Sequence, residues 1–150
     1  MNPAPHVLPD VLAPGLDVVF CGSAVGAASA RIGAYYAGLG NKFWPMLFKI
    51  GLTPALLDSH HLPDVRQFGI GLTDMAKTVS GSDASLSRDV DDPSAVRAKV
   101  KRFKPRALAF NGKRAAQVFF GKTVGYGQQD TTIETTTIFV LPSTSGAAVR

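Results

Sequence analysis

The chain has 150 residues, 45% of them hydrophobic and 18% charged, which suits one core hiding about two-thirds of the surface and excludes both a disordered chain and a multidomain machine. A single cysteine, Cys21, excludes a disulfide scaffold, and the longest uncharged apolar stretch, Val18 to Ala30, is too short and too rich in Gly and Ser to span a bilayer. Sixteen Lys and Arg against eleven Asp and Glu leave a formal charge of +5, so an anionic partner is expected, nucleic acid before a phosphorylated metabolite.

Residues 1–14 read as a flexible, loop-like lead-in, without the basic and compact apolar regions of a secretory signal, so a cytoplasmic, reducing compartment is expected. Leu16 to Cys21 is a short β-rich run that stops at Gly22, and a long loop then extends from Gly22 to Asn41. Phe43, Trp44, Leu47, Phe48 and Ile50 recur at helical spacing, with Asn41 as cap and Gly51 as stop. Thr53 to Val65 holds short helical turns, Phe68 to Asp74 is a second apolar strand-like piece, and Ser80 to Asp83 is an exposed loop. Asp92 suits a helix N-cap with Pro93 in the first turn; Val96, Val100 and Phe103 share one face until Pro105 stops the helix. The densest basic run, Arg97, Lys99, Lys101, Arg102, Lys104 and Arg106, follows that helix and reads as a solvated face. Ala107 to Phe110 is a strand, Asn111-Gly112 its tight exit, Lys113 to Phe120 a helix, Thr137 to Leu141 a last strand and Pro142 to Gly146 a loop.

Strands alternating with helices predict a single α/β domain over residues 1–150, a three-layer sandwich whose short, mainly parallel sheet is flanked by helices. Sites in such sheets lie at the carboxyl ends of the strands. The polar segments that follow strand-like runs, Gly22 to Gly26, Thr73-Asp74 and Ser143 to Gly146, are therefore expected to meet along one rim.

Five pieces, in order, carry a resemblance: Phe20 to Gly26 (FCGSAVG), Tyr36 to Trp44 with Asn41-Lys42-Phe43-Trp44, Gly69 to Asp74 (GIGLTD), Phe110 to Lys113 (FNGK) and Leu141 to Ser145 (LPSTS). Together they span nearly the whole chain from Leu12 to Ser145, which resembles the mismatch-specific uracil-DNA glycosylase and thymine-DNA glycosylase family. The resemblance implies the uracil-DNA glycosylase fold and a monofunctional enzyme that acts as a monomer without metal or cofactor. Such an enzyme flips uracil, with ethenocytosine and hypoxanthine as further candidate lesions, out of double-stranded DNA and hydrolyses the N-glycosidic bond. A G·U mismatch is weakly paired already, so extrusion costs less there than at a sound pair.

Carried over residue by residue, the family's water-holding residue, usually Asn in a Gly-x-Asn-Pro-Gly pattern, falls at Ala24, whose methyl group can neither orient nor polarise water. Gly22 and Gly26 keep the loop's framework. Tyr36 falls where the family stacks an aromatic ring on the flipped base; a core or rim tyrosine is the plainer alternative. Asp74 aligns with a pocket position held by Asn in thymine-DNA glycosylase, and its carboxylate is the expected substitute catalyst, against the plainer role of capping the Met75-Ala76-Lys77 turn. Ser143 is expected to bond a phosphate or the base, or simply to form a turn. Lys113 and Arg114 at a helix start, with Lys42 and Ser29, are candidates for the DNA backbone. Gly146 and Arg150 lie in the stretch that in the family wedges the gap left by the flipped base, and the family's further C-terminal helix is expected to be absent.

Other readings compete less well. His60, His61 and Asp64 lack a further ligand for a metal site, one thiol cannot hold an iron–sulfur cluster, and Gly22-x-x-x-Gly26 lacks the third glycine of a dinucleotide loop. Two alternatives from other classes stay open: a DNA module that recognises mismatches with little catalysis, favoured by Ala24, and a binder of phosphate-bearing small molecules.

Overall fold

The computed structural model describes residues 6–38, 40–58, 65–81 and 90–145. Its elements are β1 (Val18–Gly22), α1 (Ala27–Ile32), α2 (Phe43–Lys49), β2 (Ile70–Asp74), α3 (Pro93–Phe103), β3 (Ala107–Asn111), α4 (Lys113–Phe120), β4 (Gly127–Ile133) and β5 (Thr136–Leu141). They build a five-stranded sheet in the order β2-β1-β3-β5-β4, with β4 alone antiparallel. The mainly parallel α/β sandwich expected from the strand–helix alternation is the fold found.

Side-chain alternation along the strands divides the core between two faces. Val19 and Cys21 of β1 and Leu108 and Phe110 of β3 face α3 and α4, where Val96, Val100, Ala115, Ala116 and Phe119 are buried. Phe20 and Ala109 face the other way, toward Phe43, Trp44 and Leu47 of α2. The helix starts follow local chemistry. Asp92 caps α3 by accepting the Ala95 N–H at 3.0 Å, with Pro93 in the first turn. Asn41 Oδ1 accepts the Phe43 N–H at 2.9 Å just before α2.

Two expectations need correction, and one strand was not foreseen. The loop from Gly22 to Asn41 contains α1, a six-residue helix rich in alanine. The segment before the last strand is itself a strand, β4, whose mostly polar side chains suit a solvated edge; it turns into β5 through Glu134, held at a φ of 51°. The lead-in is irregular but is not a loose tail over its described part, residues 6–14. Leu8 is buried, Val11 exchanges backbone hydrogen bonds with Leu72 at 2.9 and 2.8 Å, and the Val7 N–H reaches the Lys77 carbonyl at 2.7 Å.

Because β1, β2, β3 and β5 run parallel, their carboxyl ends, Gly22, Asp74, Asn111 and Leu141, share one rim, with Gly22 opposite Asp74 and Asn111 opposite Leu141. The carboxyl end of α3 lies at the opposite rim, where the Arg106 N–H donates to the Leu16 carbonyl just before β1. Most of the basic run is thus remote from the strand ends, consistent with a solvated face.

Candidate active site

Gly22 and Asp74 sit side by side where β1 and β2 end. A Cβ placed on Gly22 would stand 3.3 Å from Asp74 Oδ1 and 3.6 Å from the Tyr36 hydroxyl, so glycine lets a carboxylate and a phenol converge over the strand end. The Asp74 side chain is only 4% exposed. It does not cap the turn that follows, because the Met75 and Ala76 N–H groups are given to the Gly22 and Ser23 carbonyls at 2.7 and 2.6 Å.

Behind Asp74 lies a charge network. Lys77 Nζ stands 3.1 Å from Asp74 Oδ2 and 3.0 Å from Asp10 Oδ1, and donates to the Tyr35 hydroxyl at 2.8 Å. Asp10 is shared in turn with Lys99 at 2.7 Å and with the Thr73 hydroxyl, which donates to it at 2.7 Å. Burial pushes the Asp74 carboxyl above the usual range, an effect that the Lys77 charge and hydrogen bonds from Lys77 and Tyr35 only partly offset. Asp10 is buried too, but the ammonium groups of Lys77 and Lys99 and the Thr73 hydroxyl outweigh that penalty and hold it below the usual range. Burial and the neighbouring Asp74 push the Tyr35 and Tyr36 phenols upward, so both stay neutral. Burial does the same to the Cys21 thiol, leaving no thiolate there.

At the β3 and β5 ends the chemistry is neutral. Asn111 Nδ2 donates to Thr144 Oγ1 at 3.0 Å, and its Oδ1 accepts the Thr144 N–H at 3.0 Å. The Lys42 N–H donates to the Thr144 carbonyl at 2.8 Å. Gly112, with a φ of 108°, packs so closely that a Cβ on it would lie 3.4 Å from the Ser143 Cβ. Tyr36 adopts a φ of 53°, uncommon for a residue with a side chain, and stacks one ring face on Phe43 at 3.9 Å between centroids. The Asn111 side chain gives one N–H to Thr144 and also approaches the Tyr36 hydroxyl, yet the buried hydroxyl makes no hydrogen bond of full geometry.

This is the rim expected from the sequence, and Gly22, Tyr36, Asp74 and the Ser143 loop meet there. Gly26 is the N-cap of α1, with open space around it, and Ala24 lies between it and the strand end. Some sequence-based assignments fare differently. The Ser143 hydroxyl accepts the Ser145 N–H at 3.2 Å, which is turn-forming work. Ser29 is buried and accepts the Ala37 N–H at 2.9 Å, so it is no phosphate contact. Arg114 is corrected as well: both ends of its fork hold Asp91, at 3.0 and 2.8 Å, leaving no free fork for DNA. Lys113 keeps its place at the start of α4, lying over the Tyr126 ring at 4.3 Å. Lys42 is exposed beside the Thr144 loop. Gly146, Arg150, His60, His61 and Asp64 lie outside the described residues, among which no cluster of metal-ligating side chains occurs.

Residues 9–150 match the family model of the uracil DNA glycosylase superfamily. The chain belongs to that superfamily. It is similar to a candidate uracil DNA glycosylase from Methanosarcina acetivorans, known from a solution NMR structure, with 26% identity and a TM-score of 0.59 over 93% of this chain and 84% of that one. Membership implies DNA N-glycosylase activity on a DNA partner.

Sequence reasoning missed four residues of this glycosylase's rim: Asp10, Tyr35, Lys77 and Asn111. Lys77 carried a usable signal, a cation three residues after the expected catalytic carboxylate. Asn111 was visible only as a turn residue, and nothing local marks Asp10, which lies 63 residues from its partner Thr73.

Proposed function

We propose that this superfamily member is a monofunctional, mismatch-specific DNA glycosylase that flips uracil from a G·U pair in duplex DNA, acting as a cytoplasmic monomer with Asp74 as its catalytic group. The observation that carries this reading is the placement of Asp74 Oδ1 over Gly22, beside the Tyr36 hydroxyl. As the C1′–N1 bond breaks, its electron pair leaves on the base and positive charge develops on the sugar. The Asp74 carboxylate stabilises that charge, and the water whose oxygen adds to C1′ passes a proton to it. Tyr36 and the backbone N–H groups of the rim are neutral donors for the departing base. With Ala24 at the usual water-holding position, Asp74 is the group left to orient the water.

The test is single-turnover cleavage of a labelled duplex with one G·U pair, followed by alkaline strand scission. Asp74→Asn is expected to lower the rate by about 10²–10⁴-fold, the usual size of a general acid–base contribution. Equal rates would remove Asp74 from the chemistry. A second reading, a mismatch-recognition module without turnover, is favoured by the Ala24 methyl group alone. It requires that folded wild-type protein bind the G·U duplex and leave it uncut.

A further inference from the structure

Lys77 is a lysine almost buried in the protein, with a side chain only 8% exposed, and the glycosylase chemistry above does not yet use it. An ammonium has three N–H donors, and here three acceptors surround it: the Tyr35 hydroxyl at 2.8 Å, Asp10 Oδ1 at 3.0 Å and Asp74 Oδ2 at 3.1 Å. Its backbone is fixed too, since its carbonyl accepts the Val7 N–H at 2.7 Å. The two oxygens of Asp74 are therefore differentiated. Oδ2 is turned back to Lys77, while Oδ1 stands over Gly22 and beside the Tyr36 hydroxyl.

We propose that Lys77 is the positioning residue of the active site: clamped by Asp10 of the N-terminal segment and by Tyr35, it holds Asp74 by Oδ2 so that Oδ1 faces the reaction as an ionised carboxylate. The inference rests on the catalytic reading of Asp74. With all its hydrogens committed, Lys77 acts through Asp74 and never as a nucleophile on the abasic sugar. Asp10 is a working part of the clamp. It offsets the Lys77 ammonium and is itself balanced by Lys99, so that the group carries two carboxylates and two ammoniums.

Among the described residues, the groups that face Asp74 are Lys77 beyond β2, Asp10 of the lead-in, Tyr35 and Tyr36 beyond α1, and Cys21 on β1, with Lys99 of α3 reaching it through Asp10 and Thr73. Both tyrosines and the cysteine stay neutral over the working range, so the charges that set the ionisation of Asp74 are those of Lys77 and Asp10. Removing the cation must raise the pH at which Asp74 ionises, and removing the neighbouring anion must lower it.

The experiment is the pH profile of single-turnover cleavage of the G·U duplex by wild type, Lys77→Met, Asp10→Asn and Asp74→Asn, with duplex affinity measured alongside. Lys77→Met is expected to slow cleavage and to move the acidic limb to higher pH by about 1–3 pH units, the usual effect of a cation beside a carboxylate. Asp10→Asn is expected to move the same limb the opposite way, with affinity for the duplex unchanged in both. A merely structural role would lower yield or melting temperature and leave the limb in place. If Lys77→Met does not fold, the direction of the Asp10→Asn displacement still decides. An unmoved limb in Asp10→Asn, or an imine between Lys77 and the abasic sugar trapped by borohydride reduction, would overturn the proposal. Full turnover by Asp74→Asn would instead defeat the catalytic reading on which it stands.

Discussion

The two halves of the rim solve the same placement problem by different means. At the ends of β1 and β2, Asp74, Lys77, Asp10 and Lys99 form a cluster of buried and half-buried charges. At the ends of β3 and β5, Asn111 and Thr144 close a pair of neutral hydrogen bonds, and α4 starts at Gly112 without a side-chain cap. The difference follows the proposed reaction. One half must hold a carboxylate ionised against a strong desolvation penalty, and opposite charges at hydrogen-bond distance work against that penalty. The other half must receive electron density on the departing base, where donors without negative charge serve best.

The largest effect is expected where the neutral half borrows a charge pair of its own. Arg114, in the first turn of α4, grips Asp91 through both fork ends, and the Asp91 side chain is only 1% exposed. Arg114→Ala leaves that carboxylate buried without its partner, a change that costs about 3–5 kcal/mol. The melting temperature should fall by about 2–4 °C for each kcal/mol at this chain length. Calorimetry checks it; an unchanged melting temperature would show that the pair is a surface contact without weight. Arg114→Ala should not lower affinity for DNA at temperatures where the variant is folded, which separates the scaffold role from the phosphate contact expected from sequence.

The next variant makes the two halves alike. Asn111→Asp keeps the oxygen that accepts the Thr144 N–H but replaces the donor to Thr144 Oγ1 with an acceptor and places a negative charge at the end of β3. Single-turnover cleavage should fall by about 10²–10³-fold, the scale of losing one oriented donor at a developing anion. Asn111→Ala, which removes the tie without adding charge, should lose less. Equal losses would mean that the neutrality of this half is incidental.

The sequence made one half far more legible than the other. Gly22 and Asp74 could be placed at strand ends because apolar runs stop at them, and the Asp92-Pro93 start of α3 is written in capping chemistry. The same strand–helix alternation predicted the parallel sheet. The charge clamp was not legible, because its members come from the lead-in, the segment after α1, the turn after β2 and α3, and are joined only by the fold. Residues 6–14 lack a periodic pattern, yet they add antiparallel pairing beside β2 through Val11 and Leu72. β4 escaped notice because its side chains are mostly exposed and polar, so an edge strand carries no apolar alternation to read. Arg114 was misassigned for a related reason: a basic residue at a helix start satisfies a phosphate or a buried carboxylate equally well, and Asp91 becomes its partner only through tertiary structure.

The smallest effect, and the one that sharpens the comparison most, concerns the residue standing between the two halves. The Tyr36 hydroxyl is buried without a hydrogen-bond partner, held over Gly22 beside Asp74 Oδ1 by a backbone φ of 53° and by the stack on Phe43. A buried hydroxyl left unsatisfied costs about 1–3 kcal/mol, whereas its removal with the ring retained costs nothing in hydrogen bonds. Tyr36→Phe should therefore leave the melting temperature unchanged or raise it by a few degrees. If the hydroxyl is the free neutral donor that meets the flipped base, the same variant should cut G·U duplex about 10-fold more slowly, a loss of roughly 1.4 kcal/mol in transition-state stabilisation. The two readouts should move in opposite directions. That split would identify an unsatisfied group kept for the reaction rather than for the fold, whereas a lower melting temperature with unchanged cleavage would make Tyr36 an ordinary rim tyrosine and leave the departing base to the backbone N–H groups and Asn111.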